Sequence, residues 1–379
     1  MPGFPNFGPS VRALSSSVYA GSKTTPAKPP VPLHIGDTWM EPPAGCRMED
    51  FRVEQYPGMH RYTAVAGLPA LRRTIAELHQ QRCGTETSPD QVLVTAGATA
   101  GLAAAVAALI APGEEVLLAA PYWPLIAGAV RAFHGVPVAA PLMTEATTAA
   151  EAVACFERCR TERTVAVYWN TPHNPTGRIL PREWLVALTD WARRHSLWIL
   201  SDEVYEDYVY YGEHVATRSL EAERTVSAHS FSKAYGMTGN RCGYLVAAAE
   251  VTEAIERIVT QIHYSACTAS QLAALKALEG PGPDWAARAR EHYAQLGREA
   301  ADALGLAPPE GSTFLFPDVS RSLDDRGLAG FLTELAEQGV LLAPGPTFGP
   351  YPNHVRLCFT SAEPDAVRRG VSILANRLP

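Results

Sequence analysis

From about residue 90 onward the chain alternates short β-branched or apolar runs with Ala-rich stretches, and no other feature restricts its fold as much. Parallel strands must be joined by crossovers of about a dozen residues, usually helical. The rhythm therefore predicts an α/β fold built on a doubly wound, mostly parallel sheet with helices on both faces. Strands are expected at residues 92–96, 115–119, 164–170, 197–201, 225–229 and 243–247, with helices at 99–111, 124–133, 151–160 and 181–195 between them. Beyond Gly280-Pro281-Gly282-Pro283 the pattern changes to a long helix (284–304), short strands (313–317 and 355–359) and helices at 328–338 and 364–378. That pattern is a smaller α+β domain. The expected division is an N-terminal arm with part of the small domain (1–45), a large domain (46–283) and a C-terminal small domain (284–379).

With 379 residues, 47% of them hydrophobic and 19% charged, the chain can bury a sizeable core and is not a disordered polymer. Its net charge of -7 comes without any basic cluster beyond pairs such as Arg193-Arg194, which argues against a nucleic-acid partner. The longest apolar run, residues 102–111, falls well short of the roughly 20 residues a bilayer span takes, so no membrane partner is expected. Seven scattered cysteines with no C-x-x-C pair read as reduced thiols in a cytoplasmic protein, and they indicate no metal site. The first thirty residues are rich in Pro and Ser and lack a charged start followed by an apolar stretch, so they read as an arm and not as a secretory signal.

Four segments carry chemistry. Thr95-Ala96-Gly97-Ala98-Thr99 joins an expected strand to an expected helix, where free N–H groups and the helix dipole suit an anion; an ordinary strand-to-helix turn is the plainer reading. Asn170-Thr171-Pro172-His173-Asn174-Pro175-Thr176-Gly177 follows a strand end, where open α/β sheets put ligand-binding loops. Its prolines either shape a turn or stiffen a loop that aims an Asn amide into the crevice. Asp202-Glu203-Val204-Tyr205 also follows an apolar strand, and a carboxylate there is costly unless a cation meets it. Finally, only four of the 32 basic residues are lysines, and Lys23, Lys28 and Lys276 lie in bland surroundings. Lys233 sits instead in Ser230-Phe231-Ser232-Lys233-Ala234-Tyr235-Gly236, with Arg241 eight residues on. A lysine among hydroxyls and aromatics suits a desolvated amine nucleophile beside an anion clamp.

Asn174-Pro-Thr-Gly177, Asp202 with Tyr205, Ser230-x-Ser-Lys233 and Arg241 together resemble the class I/II aminotransferases, pyridoxal-phosphate enzymes of the aspartate aminotransferase fold (fold type I). The resemblance extends through Leu33-His-Ile-Gly36-Asp37, residues 62–71, Pro121-Tyr-Trp123, Pro344-Gly-Pro-Thr-Phe348-Gly349 and Val355-Arg356-Leu. It implies pyridoxal 5'-phosphate held by Lys233 as a Schiff base, with Lys233 then acting as the catalytic base. Asp202 would keep the ring nitrogen protonated, and Tyr205 and Asn174 would bond the ring's phenolate oxygen. The phosphate would be gripped by Ala98, Thr99, Ser230, Ser232 and Arg241, and Trp123 or its neighbour Tyr122 would stack on the ring. Arg356 would take the substrate α-carboxylate with Gly36 close by, since a planar guanidinium fits that group bidentately. Tyr62 would reach the phosphate of a neighbouring subunit, which implies a homodimer with shared active sites.

The implied activity is transfer of an amino group between an amino acid and a 2-oxo acid. Elimination, decarboxylation or another lyase reaction on the same fold is the nearest rival. A non-catalytic sensor module would need an N-terminal helix-turn-helix that thirty Pro/Ser-rich residues cannot supply. Residues 258–268, where the resemblance places a neighbour-subunit contribution, hold only His263 among possible cations. A neutral or aromatic donor is therefore expected, with Trp39 and the Tyr122-Trp123 pair as candidate linings of its pocket.

Overall fold

A computed structural model of the protein describes residues 8–14 and 30–378. Residues 1–7 and 15–29 of the expected N-terminal arm, including Lys23 and Lys28, lie outside the described residues. The centre is a seven-stranded sheet of β1 (Val92–Thr95), β2 (Glu115–Ala119), β3 (Val136–Ala140), β4 (Thr164–Asn170), β5 (Trp198–Asp202), β6 (Thr225–Ser230) and β7 (Gly243–Val246). Their order across the sheet is β1-β7-β6-β5-β4-β2-β3. All neighbours run parallel except β7, which is antiparallel to both β1 and β6.

Because the strands are covered on both faces, their residues are apolar almost throughout instead of alternating. One face packs against the helices Ala98–Leu109, Pro124–Ala132 and Ala249–Ile262, and the other against Ala149–Cys159 and Arg182–Arg194. The Ala-rich helix Ala98–Leu109 sits close to the sheet because its facing residues are small. A Cβ on Gly101 would lie 3.0 Å from the Leu245 side chain.

Two differences from the sequence expectation matter for the site. The fourth expected strand ends one residue later, so Asp202 is the last residue of β5 and not the first beyond it. The edge strand β3 carries Pro137, whose missing N–H is tolerated only at an edge or bulge and hides the strand pattern.

The smaller unit has a three-stranded antiparallel sheet of β8 (Phe314–Leu315), β9 (Ala343–Pro344) and β10 (Val355–Cys358), ordered β8-β10-β9. The helices Gly282–Ala303, Gly327–Glu337 and Pro364–Ala375 belong to it. The chain just after residue 30 joins this unit: Val31 bridges Val340, and Leu33 is buried and accepts the Cys358 N–H at 2.7 Å. Among the described residues no helix is long and apolar enough to cross a membrane.

Candidate active site

The carboxyl ends of the parallel strands and the amino end of β7 open on the same edge of the sheet. Gly243 starts β7 between Thr95 of β1 and Ser230 of β6, so Arg241, two residues upstream, arrives where β1 and β6 end. A cavity of about 310 Å³ lies there, lined among others by Gly36, Ala98, Thr99, Trp123, Asn174, Asp202, Tyr205, Ser230, Ser232, Lys233, Arg241 and Arg356. All of these were singled out by sequence; of the other residues expected there, Tyr62, Tyr122, Trp39 and His263 do not line it.

One end of the cavity is an anion cup. The helix Ala98–Leu109 starts at Gly97, whose φ of 84° and lack of a side-chain cap leave the first N–H groups of the helix for a ligand. Ser230, Ser232 and Arg241 complete the cup. Two glycines set its shape: a Cβ on Gly97 would lie 2.5 Å from Arg241 Nη2, and one on Gly243 would lie 2.6 Å from the Ala98 nitrogen. Arg241 is held at φ 50° with Nη1 donating to the Thr238 carbonyl at 2.8 Å.

At the centre, Asp202 is buried and burial pushes its carboxyl up to about 6, partly offset by the Tyr168 hydroxyl, which donates to Oδ2 at 2.8 Å. Among the described residues no Lys, Arg or His forms an ion pair with it. The Lys233 ammonium donates to the Gly36 carbonyl, and burial lowers its proton affinity although Asp37 opposes this. Asn170, at the end of β4, joins two neighbours: its Nδ2 donates to the Asp202 carbonyl at 2.7 Å and its Oδ1 accepts from the Asn174 N–H at 2.6 Å.

At the far side, Arg356 is buried on β10, with Nη1 donating to Asn174 Oδ1 at 3.1 Å and Nη2 to the His34 carbonyl at 2.6 Å. Its guanidinium lies 4.3 Å from the Phe314 ring centre and 4.9 Å from that of Phe348. A guanidinium sandwiched between rings keeps its planar fork oriented and shielded from water. Tyr205 packs edge-on against the same Phe314, with ring centroids 5.7 Å apart.

Several expected residues stand elsewhere. Tyr62 is 88% exposed and leans on Tyr264, outside the cavity of its own chain. Of the Tyr122-Trp123 pair only Trp123 lines the cavity; Tyr122 lies beside Gly349. Trp39 packs edge-on against Tyr293 and does not line this cavity. His263 accepts the Ala96 N–H at 3.4 Å behind the cup. Sequence reasoning gave no role to His34, Ile35, Asp37, Leu125 and Phe314, which also line the cavity. Nothing in the local pattern of Leu125 and Phe314 separates them from packing residues, whereas His34, Ile35 and Asp37 fall inside the Leu33-to-Asp37 segment already noted. Glu203, Glu206 and His214 bring ligand atoms within 4.8 Å of one another, but Arg82 already pairs with Glu206 at 3.0 Å and His214 with Glu203 at 3.1 Å.

The donor set suits pyridoxal phosphate. The cup whose space a Cβ would fill accommodates a phosphate, a buried carboxylate without a cation suits a protonated ring nitrogen, and a desolvated amine suits an aldehyde. The comparisons with known proteins agree. Residues 38–374 match the family model described as aminotransferase class I and II. A probable aspartate/prephenate aminotransferase of Thermus aquaticus is 34% identical over 313 residues, 81% of each chain. The arginine–pyruvate transaminase of Pseudomonas aeruginosa is 38% identical over 327 residues, 82% of each chain. A mutant aspartate aminotransferase of Thermus thermophilus superposes with a TM-score of 0.88 at 29% identity, covering 99% of this chain and 100% of the other. The chain thus belongs to the class I and II aminotransferases, and it is a pyridoxal-phosphate-dependent transaminase.

Proposed function

We propose that this transaminase moves the amino group of a neutral or aromatic amino acid to a 2-oxo acid, as a cytoplasmic homodimer. In this reading residues 46–283 form the cofactor-binding domain, and residues 1–45 and 284–379 supply the arm and the small domain. When bound, the cofactor supplies an aldehyde for the amine and a ring that accepts the electrons released at the substrate α-carbon.

The rest is work for the chain's own side chains. The Ala98 and Thr99 N–H groups, Ser230, Ser232 and Arg241 would hold the phosphate, and Trp123 would offer its face to the ring. Asp202 keeps the proton on the ring nitrogen. Tyr205 and Asn174 donate to the phenolate oxygen. With the cofactor bound, Lys233 Nζ would be the amine that holds its aldehyde and the base that moves the proton at the substrate α-carbon. Its lowered proton affinity suits a base that must be neutral near physiological pH. Arg356 pairs with the α-carboxylate beside Gly36.

The observation that carries this reading is the confinement of Lys233 with Asp202, Asn174, Tyr205 and Arg356 around one cavity. Borohydride reduction of the loaded protein tests it. Wild type should retain cofactor covalently, whereas retention in Lys233→Ala would refute the assignment.

The donor class rests on the cations around the cavity. Arg241 belongs to the cup, Arg356 to the α-carboxylate, and His34 is pushed toward the neutral form by burial and by Arg356. Among the described residues lining the cavity, none is left for a second carboxylate, while Ile35, Leu125 and Trp123 offer apolar surface. Half-reaction rates for phenylalanine, methionine, alanine and aspartate test this choice, and aspartate fastest by tenfold or more overturns it. The homodimer is supported by the exposed Tyr62, and the cytoplasm by seven free cysteines. Sedimentation of the loaded protein and fractionation of cells test these two.

A further inference from the structure

Side chains two residues apart on a strand share a face, so the register of β4 with β5 sets which residues can meet Asp202. Tyr168 pairs with Leu200 and Asn170 with Asp202, which puts Tyr168, Asn170 and Asp202 on one face. Tyr168 is fully buried in the apolar layer beneath the helix Ala98–Leu109, and its hydroxyl reaches diagonally to Asp202 Oδ2 at 2.8 Å. The other oxygen, Oδ1, accepts the Val204 N–H at 3.4 Å. A phenol in an apolar layer needs a partner, and a carboxylate held by one oxygen presents the other in a fixed direction.

We propose that Tyr168 is a positioning residue for transamination, whose hydroxyl locks the Asp202 carboxylate in the orientation that meets the cofactor ring. The inference rests on the role assigned to Asp202 above. The titratable groups that act on Asp202 are Tyr168 of β4 through its hydrogen bond, and His229 of β6 and the chain neighbour Glu203 through charge alone. The Tyr168 bond favours the ionised carboxyl. Without it the carboxyl takes up its proton at a higher pH, and the affinity for a cationic ring falls off at a correspondingly higher pH.

The test titrates cofactor-free protein with pyridoxal phosphate between pH 5 and 9, read by fluorescence. Tyr168→Phe should weaken binding about tenfold near neutrality and move the midpoint of the acid fall-off upward by about one pH unit. In an Asp202→Asn background the same change should do neither. Wild-type affinity and midpoint in Tyr168→Phe, with binding weakened in Asp202→Asn, would overturn the inference alone. Undiminished affinity in Asp202→Asn would overturn the role of Asp202 itself. An equal, pH-independent loss from Tyr168→Phe in both backgrounds would place the effect elsewhere and also overturn the inference. Should Tyr168→Phe not fold, 3-fluorotyrosine at position 168 keeps the packing and donates more strongly, so the midpoint must move down; an unmoved midpoint refutes the proposal.

Discussion

Asp202→Asn should stabilise the cofactor-free protein while weakening the loaded one. In the cofactor-free protein the buried carboxyl ionises at about 6 instead of 3.8, so the folded state holds this proton more tightly than the unfolded chain does. Unfolding then releases a proton between these two values, and stability falls as the pH rises through that window and stays lower above it. A rise of about two pH units corresponds to about 3 kcal/mol at neutral pH. Asparagine has nearly the same shape and can still accept the Tyr168 hydrogen bond, but it carries no charge to desolvate. Thermal unfolding of cofactor-free wild type and Asp202→Asn at pH 4, 6 and 8 reads this directly. At pH 8 the variant should melt several degrees higher, at pH 4 the curves should converge, and saturating pyridoxal phosphate should reverse the order. A cofactor-free variant no more stable than wild type at pH 8 would mean that Asp202 is not strained by burial, and the account of why it needs a ring cation would fail.

Two further outcomes follow from the geometry. Gly243→Ala drives a methyl group to 2.6 Å from the Ala98 nitrogen, so it should remove most phosphate-dependent cofactor affinity and cost about 1–3 kcal/mol of stability; near-normal affinity by equilibrium dialysis would contradict the cup. Arg356→Lys keeps the charge but loses the planar fork between Phe314 and Phe348, so KM for amino and oxo acids should rise on the order of tenfold or more while cofactor trapping on Lys233 stays intact. Equal kinetics in the two proteins would remove Arg356 from carboxylate binding.

The sheet was legible because a strand buried on both faces leaves a run that cannot be mistaken for an amphipathic surface helix, as at Thr164–Asn170 and Glu115–Ala119. The edge strand Val136–Ala140 escaped because its proline and weaker burial blur that run. The helix Pro69–Cys83 carried its own punctuation, Pro at the start and Gly84 at φ 67° just past the end, although its weak amphipathic pattern gave little to find it by. In the site, polar residues in loops next to strand ends could be read, because such residues have few structural reasons to be there. Phe314 and Tyr168 could not. An aromatic residue inside an apolar run shows only that it is buried, and what it touches depends on pairing between strands far apart in sequence.

The antiparallel strand β7 has a consequence for how such an enzyme can change. Because it is laddered to β1 on one edge and β6 on the other, the spacing of Gly97, Ser230 and Arg241 is fixed by main chain held from both sides. Drift at the cup is therefore limited by volume: a methyl group is excluded at Gly243 whatever its chemistry. Ile35 and Leu125 face the same cavity from a loop and a helix outside that ladder. Mutations there can retune which amino acid is accepted without loosening the grip on the cofactor, so the architecture separates the part that natural selection can explore from the part that it must leave alone.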